Sequence, residues 1–181
     1  MCRPPLPWSV SWCPTSIAIA PGATRPCGAG ARSGAYDKAI HAASGKYEAM
    51  VLACIDPRFH ELVSKYTAGR HLTGKYSQFT IAGAAIGVVA AAFKGWHKTF
   101  WDNLGASIQL HSIDKVIVIN HRDCGAAKIA YGEAAVADPA AETKTHREAL
   151  AEFRKQLAER HPQLGVETGL MALDGTFEVM S

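Results

Sequence analysis

Two short apolar runs without a polar interruption are the feature that most constrains the fold of this chain. The first is Ala49–Ala53, and the second, residues 116–119, consists only of β-branched side chains. A strand that is covered on both faces has this pattern, whereas a strand with one solvated face alternates apolar and polar residues. Because β-branched residues favour extended backbone, we predict that both runs are buried strands of a parallel sheet.

The segments around these runs have the spacing of helices and of further strands. A second strand is predicted at residues 78–82, and Asp174-Gly175 predicts a C-terminal β-hairpin between residues 170–173 and 176–179. Helical patterns cover residues 36–43, 59–66, 84–93, 101–111, 125–131 and 142–161. Strands that alternate with helices are typical of an α/β fold, so we predict a largely parallel central β-sheet flanked by helices.

The first 34 residues differ in composition from the rest of the chain. They contain six of the nine prolines and three of the five cysteines, without a periodic apolar pattern. We therefore predict a disordered or weakly ordered arm at residues 1–34. A misassigned start codon would also explain this segment. Residues 35–181 then form one α/β domain, for which a chain that is 48% hydrophobic supplies an adequate core.

Charge, cysteine content and hydropathy exclude several functional classes. The net charge of +3 comes from scattered Lys and Arg, so a nucleic-acid partner is not expected. Residues 76–93 carry no charge but contain Ser, Gln, Thr and Gly, which argues against a membrane span. The odd number of cysteines in a chain of this length favours reduced thiols. We therefore expect a cytoplasmic protein.

Two motifs follow the two apolar runs. Cys54, Asp56 and Arg58 come directly after the first run, while His121 and Cys124 come after the second. Because the carboxyl ends of parallel strands meet at one edge of a sheet, these side chains can converge. Two thiolates and one imidazole suit zinc, and a set of three protein ligands leaves a fourth position for water. The motifs therefore predict a catalytic zinc site.

The remaining residues of the motifs suggest supporting roles. Arg58 can form a forked hydrogen bond with Asp56, which keeps the carboxylate ionised and oriented to accept a hydrogen bond from a zinc-bound oxygen. Asp123 is expected to be a solvated loop residue or a helix cap. His60 lies close to these residues in the sequence and is a candidate proton relay. The aromatic residues Trp96, Phe100 and Trp101 are expected in the core or in a dimer interface.

Cys-x-Asp-x-Arg followed by His-x-x-Cys-Gly resembles the signature of the β-class carbonic anhydrases, and the similarity extends over roughly residues 46–179. The resemblance implies reversible hydration of carbon dioxide to bicarbonate and a proton, by attack of zinc-bound hydroxide. It also implies a homodimer or higher homo-oligomer whose cleft is lined by both subunits. Its residue assignments are zinc ligands at Cys54, His121 and Cys124, and a catalytic dyad of Asp56 and Arg58.

The chain departs from that family after the second predicted strand. Many members have Arg-Asn-Ala-Gly there, whereas this chain has Thr80-Ile81-Ala82-Gly83, so a cation and an amide are missing from the pocket wall. A more apolar pocket suits carbon dioxide, and it equally suits carbonyl sulfide or carbon disulfide, which relatives of the fold hydrolyse. A non-catalytic domain in which zinc supports folding is the other alternative.

Overall fold

A computed structural model describes residues 47–181. The predicted arm at residues 1–34 and the predicted helix at residues 36–43 lie outside this part of the chain, and both stay predictions. The described residues form one five-stranded sheet in the order β2-β1-β3-β4-β5. The first four strands are parallel, and β5 pairs antiparallel with β4. The strands are β1 Ala49–Ala53, β2 Tyr76–Thr80, β3 Lys115–His121, β4 Gly165–Met171 and β5 Phe177–Val179.

Five α-helices alternate with these strands. They are α1 Pro57–Gly69, α2 Ala85–Val89, α3 Lys94–His111, α4 Gly125–Tyr131 and α5 Pro139–Arg160, with 3₁₀ turns at Ala91–Phe93 and Glu133–Val136. Both α1 and α5 begin at an aspartate whose side chain accepts backbone N–H groups of the first turn, and a proline follows each aspartate. None of the helices within residues 47–181 has the length and apolar composition needed to cross a lipid bilayer.

The core lies on both faces of the sheet because the central strands β1 and β3 have apolar side chains on both faces. In β1, Met50 and Leu52 pack in a cluster with α2, α3 and α5. Val51 points to the opposite face with Ala49 and Ala53, and these three residues pack in a cluster with α1. Alternate side chains of a strand point to opposite faces, so an uninterrupted apolar run can supply both clusters. The predicted fold class, a largely parallel sheet flanked by helices with a C-terminal hairpin, is therefore confirmed.

Several predicted boundaries are wrong, and three of them lie between β2 and α3. Strand β2 ends at Thr80, because the chain then turns so that the Ala84 N–H donates to the Ile81 carbonyl at 3.0 Å. The predicted alanine-rich helix breaks at Ala90, whose backbone is extended, into α2 and a 3₁₀ turn. Helix α3 begins seven residues before the predicted start, at Lys94.

Phe100 should be a major source of stability. Its side chain is fully buried and packs edge-on against Phe79, Trp101 and Phe153, with ring centroids 4.9–5.6 Å apart. We expect Phe100→Ala to lower the free energy of unfolding by about 3–5 kcal/mol, measured by urea denaturation, because it leaves a cavity between α3 and α5. The control Lys98→Ala, on the exposed face of the same helix, should change it by less than about 0.5 kcal/mol. A loss below about 1 kcal/mol for Phe100→Ala would contradict this packing.

Candidate metal centre

Three buried side chains converge at the carboxyl edge of the sheet. The sulfur atoms of Cys54 and Cys124 and one ring nitrogen of His121 all lie within 4.8 Å of one another. Cys54 leaves β1, His121 is the last residue of β3, and Cys124 is the N-cap residue of α4. The three residues are only 2–6% exposed. The structure thus brings together all three predicted ligands in a position to hold one metal ion.

The orientation of His121 fits a metal ligand. Its Nδ1 lies 2.8 Å from the Arg122 carbonyl oxygen. Because a carbonyl can only accept, Nδ1 carries a proton, and in the neutral imidazole that binds metals Nε2 has the lone pair. Nε2 is buried and has no hydrogen-bond partner within residues 47–181. Phe59 stacks on the imidazole at a centroid distance of 4.0 Å and restricts its rotation. A buried lone pair without a donor is costly, and a metal ion would satisfy it.

Without a metal, the pKa values of the Cys54 and Cys124 thiols are shifted in opposite directions. A hydrogen bond from Cys124 lowers the pKa of Cys54 to about 4, against the effect of burial, and His121 and the backbone N–H of Gly83 contribute. The Gly83 nitrogen lies 3.2 Å from the Cys54 sulfur. The pKa of Cys124 is raised, because its thiol donates to Cys54 and is buried. One negative charge is therefore stabilised at the centre before any cation binds.

Glycine is needed at position 83, beside Cys54, because of the backbone conformation and the lack of space for a side chain. Its φ is +80°, and an added Cβ would lie 3.0 Å from Ala126 Cβ and 3.1 Å from Ile86 Cβ. A side chain would therefore be strained by the backbone conformation and crowded by its neighbours. Glycine here lets the backbone N–H approach the sulfur closely.

Asp56 and Arg58 interact as predicted. Arg58 Nε lies 3.1 and 3.2 Å from the two Asp56 carboxylate oxygens, and Nη2 lies 2.7 Å from Oδ2. These hydrogen bonds, with one from the Arg58 backbone N–H at 3.0 Å, lower the pKa of Asp56 to about 2. Asp56 is consequently a carboxylate throughout the physiological pH range.

The expectation that Asp123 is a solvated loop residue is confirmed, since its side chain is 70% exposed, and the structure adds a contact that was not predicted. Arg58 donates to Asp123 through Nη1 to Oδ2 at 2.7 Å and through Nη2 to its backbone carbonyl at 3.1 Å. It does not cap α4, which follows Cys124 without any side-chain cap. Asp123 has a left-handed backbone with φ 56°, which turns its carboxylate towards Arg58. Sequence spacing gave no signal for this contact, because the two residues are brought together only by the fold.

Two clefts open on the centre. One, of about 390 Å³, has apolar walls, and the other, of about 650 Å³, is lined by charged residues that include Arg58, Arg122 and Glu142. Asp56, Cys124 and Gly125 line both. The apolar walls are provided by Ile55, Ala82, Phe93, Trp96 and Ile129.

The aromatic residues expected in the core or in a dimer interface lie in two different places. Phe100 is in the core as predicted, and Trp101 packs against it. Trp96, however, is 40% exposed and lines the apolar cleft. His60 is exposed on α1. Ala82, which matches the β-class pattern, also lines the apolar cleft, while Thr80 and Ile81, the two positions where the chain departs from that pattern, line a neighbouring hollow with Trp96.

Comparison with known protein families decides the affiliation. The sequence model of the family described as "Putative carbonic anhydrase" matches residues 44–170, which include the three converging side chains. The chain belongs to this family. Its structure resembles solved β-carbonic anhydrases at low identity, which supports the fold. CafA of Aspergillus fumigatus has a TM-score of 0.54 at 15% identity, covering 77% of this chain and 78% of CafA. The β-carbonic anhydrase CcaA has a TM-score of 0.55 at 12% identity, covering 81% and 84%.

Two relatives of this carbonic anhydrase family member have similar length. An uncharacterized protein of Rickettsia bellii is 33% identical over 129 residues, which is 71% of this chain and 79% of the relative. An uncharacterized protein of Rickettsia conorii is 30% identical over 129 residues, covering 71% and 69%.

Three polar residues that the sequence reasoning missed either lie in the segment 120–124, which carries His121 and Cys124, or bind to it. Asn120 Oδ1 accepts the Ala85 N–H at 3.0 Å, so its Nδ2 faces His146 Nδ1, also at 3.0 Å, and donates to it. Glu142 accepts the Asp123 backbone N–H at 2.6 Å. Glu142 and His146 lie one turn apart on the buried face of α5, which is otherwise apolar. That interruption of the apolar stripe was the one signal available in the sequence.

His146 should make folding sensitive to acid. Burial, with His121 and Arg122 nearby, lowers the pKa of His146 to about 4, below the ordinary 6.5. The unfolded chain therefore binds a proton more readily, and the free energy of unfolding falls as the pH drops from about 6.5 towards 4, by up to about 1.4 kcal/mol per pH unit. We expect a flatter pH dependence over this range for His146→Gln, measured by urea unfolding with a chelator present. His121, whose pKa is shifted upwards, contributes equally to both proteins, so the difference between their slopes reports on His146 alone. Identical slopes of unfolding free energy against pH would contradict the low pKa assigned to His146.

Proposed function

We propose that the protein is a zinc-dependent carbonic anhydrase that catalyses the reversible hydration of carbon dioxide to bicarbonate and a proton. One observation carries the proposal: in a chain of this family, two buried thiols and an unpartnered imidazole nitrogen converge within 4.8 Å where two clefts meet. We assign Cys54, His121 and Cys124 as the metal ligands.

The donor set favours zinc. Thiolate and imidazole are ligands that suit Zn²⁺, and a site with three protein ligands leaves one position for solvent or substrate. When bound, zinc acts as a Lewis acid that makes a water molecule acidic enough to be a nucleophile near neutral pH. The two clefts that reach these residues give solvent and substrate access, which a closed structural site with four protein ligands would not provide.

Asp56 and Arg58 are proposed to orient the nucleophile. Asp56 lines both clefts beside Cys124, and Arg58 holds it in one position as a carboxylate. With a pKa of about 2, Asp56 accepts a hydrogen bond from the attacking water and fixes its direction, rather than taking up its proton at neutral pH. Arg58 acts through Asp56, because its guanidinium is shared between Asp56 and Asp123.

The apolar cleft is the proposed site for carbon dioxide. Its walls of Ile55, Phe93 and Trp96 offer an uncharged surface next to the ligand set, which suits a small apolar substrate. The same walls suit carbonyl sulfide and carbon disulfide, so hydrolysis of these compounds is the second candidate function. The observation in its favour is that Thr80 and Ile81, which stand where many β-class members have a cation and an amide, line a hollow with Ile55 and Trp96 of the cleft wall.

We also propose a homo-oligomer in the cytoplasm. Ile55, Trp96 and Ile129 are 40–72% exposed around the apolar cleft, an arrangement that a second subunit would cover. Two β-carbonic anhydrases of Sordaria macrospora, similar in fold at 11% identity and a TM-score of 0.50, covering 81% of this chain and 86% of theirs, are tetrameric. The free thiols of Cys54 and Cys124 accord with a reducing compartment.

Replacement of Asp56 tests the function directly. We expect Asp56→Asn to lower kcat/KM for carbon dioxide hydration at least about tenfold, because an uncharged amide accepts the hydrogen bond of the attacking water more weakly and can also present a donor. Zinc content, measured by mass spectrometry, should stay near that of the wild type, since Asp56 is not a proposed ligand. Stopped-flow measurement of proton release gives the rate. The control Asp102→Asn removes an exposed aspartate that pairs with Lys98, and it should keep full activity.

The same preparations separate the candidate functions. Wild-type protein with full zinc and no carbon dioxide hydration would contradict the proposal. If that protein hydrolysed carbonyl sulfide, the second candidate would replace the first. If it did neither, the zinc would be structural.

A further inference from the structure

Glu142 is a buried carboxylate that the proposed chemistry does not use. It lies in the first turn of α5, and its side chain is 12% exposed. A buried charge is expensive unless charged or hydrogen-bonding partners compensate it. Its two hydrogen-bond partners, Arg122 and the Asp123 N–H, belong to the segment between two proposed metal ligands, His121 and Cys124, and His146 Nε2 lies 4.0 Å from Oε1.

The two carboxylate oxygens of Glu142 hold this segment at two points. Oε1 accepts the Asp123 backbone N–H at 2.6 Å, and Oε2 accepts from Arg122 Nη1 at 3.3 Å. The first contact fixes a residue in the left-handed region, because Asp123 has φ 56°, a conformation that is less favourable for residues other than glycine. A charged acceptor on the peptide N–H helps to stabilise this conformation.

The conformation of Asp123 determines where Arg58 lies. In this turn the Asp123 carboxylate and carbonyl oxygens both accept from Arg58, at 2.7 and 3.1 Å. The Nε and Nη2 atoms of the same guanidinium donate to Asp56, so Nη2 is shared between the two aspartates. Arg58 is 47% exposed, so without the contacts to Asp123 its long side chain would have considerable freedom to rotate.

We infer that Glu142 and Asp123 are positioning residues, and that the chain of contacts from Glu142 through the Asp123 turn to Arg58 fixes the orientation of the Asp56 carboxylate. This inference deepens the proposed function and rests on it. Neither residue lines the apolar cleft that is the proposed site for carbon dioxide. Their effect on the rate passes through Arg58.

Amide hydrogen exchange tests the first contact without reference to activity. The Asp123 N–H lies in an exposed loop, and we expect it to exchange slowly in the zinc-loaded wild type because Glu142 accepts its hydrogen bond. In Glu142→Ala it should exchange at least tenfold faster, measured by NMR. The control Glu148→Ala removes an exposed glutamate of the same helix and should leave this rate unchanged. Equal exchange in Glu142→Ala and the wild type would overturn the inference even if the enzyme hydrates carbon dioxide.

Kinetic measurements test whether Glu142 affects the orientation of Asp56 through Arg58. At equal zinc content, we expect Glu142→Ala to lower kcat at least tenfold, and Glu142→Gln, which keeps an acceptor oxygen, to stay within threefold of the wild type. In an Asp123→Ala background the link to Arg58 is already weakened, so Glu142→Ala should lower kcat by less than threefold further. An unchanged kcat in Glu142→Ala, or the same loss in both backgrounds, would overturn the inference.

The remaining outcomes are also decisive. If Glu142→Ala fails to fold, the glutamine variant carries the test, and a loss in that variant of tenfold or more would contradict a role as hydrogen-bond acceptor. If the wild type lacks carbon dioxide hydration, the proposed function fails, while the exchange rate of the Asp123 amide still decides whether Glu142 holds the turn.

Discussion

The parallel pairing of β1 with β3 is the constraint on which the proposed metal centre depends. Their register aligns Ala53 with Ile119, so Cys54 and His121 leave adjacent strands at the same edge of the sheet. Apolar packing on both faces of the sheet holds these strands in place, and the metal-site residues need no long-range polar contact of their own to reach one another. The apolar strands thus supply the rigidity, and the residues that follow them supply the chemistry.

A second level of organisation is polar and comes from the loops and helix α5. Gly83 donates to Cys54, while Arg122 fixes the tautomer of His121 through its carbonyl. Glu142 and Asp123 then connect α5 with Arg58. These contacts do not define the fold, but they determine which atoms face the proposed metal position. Such supporting contacts are expected to affect metal affinity and rate more than stability.

The sequence could predict those parts that depend on short-range patterns. The strand β1, the helix α4 and both motifs follow from neighbouring residues, and all lie where the patterns indicate. Strand β4 is different, because Glu167 and Thr168 interrupt its apolar pattern and pairing with β3 makes it a strand. The contact of Glu142 with Asp123 also depends on tertiary packing. The sequence thus predicts the proposed ligands, whereas their supporting residues require the fold.

The central claim is that Cys54, His121 and Cys124 bind one zinc ion and leave one position open. X-ray absorption spectroscopy at the zinc edge of the purified wild-type protein tests it most directly. The account predicts two sulfur ligands at about 2.3 Å, one imidazole nitrogen at about 2.0–2.1 Å, and one further light-atom ligand that does not come from the protein. A zinc ion with four sulfur ligands, or with none, would contradict it.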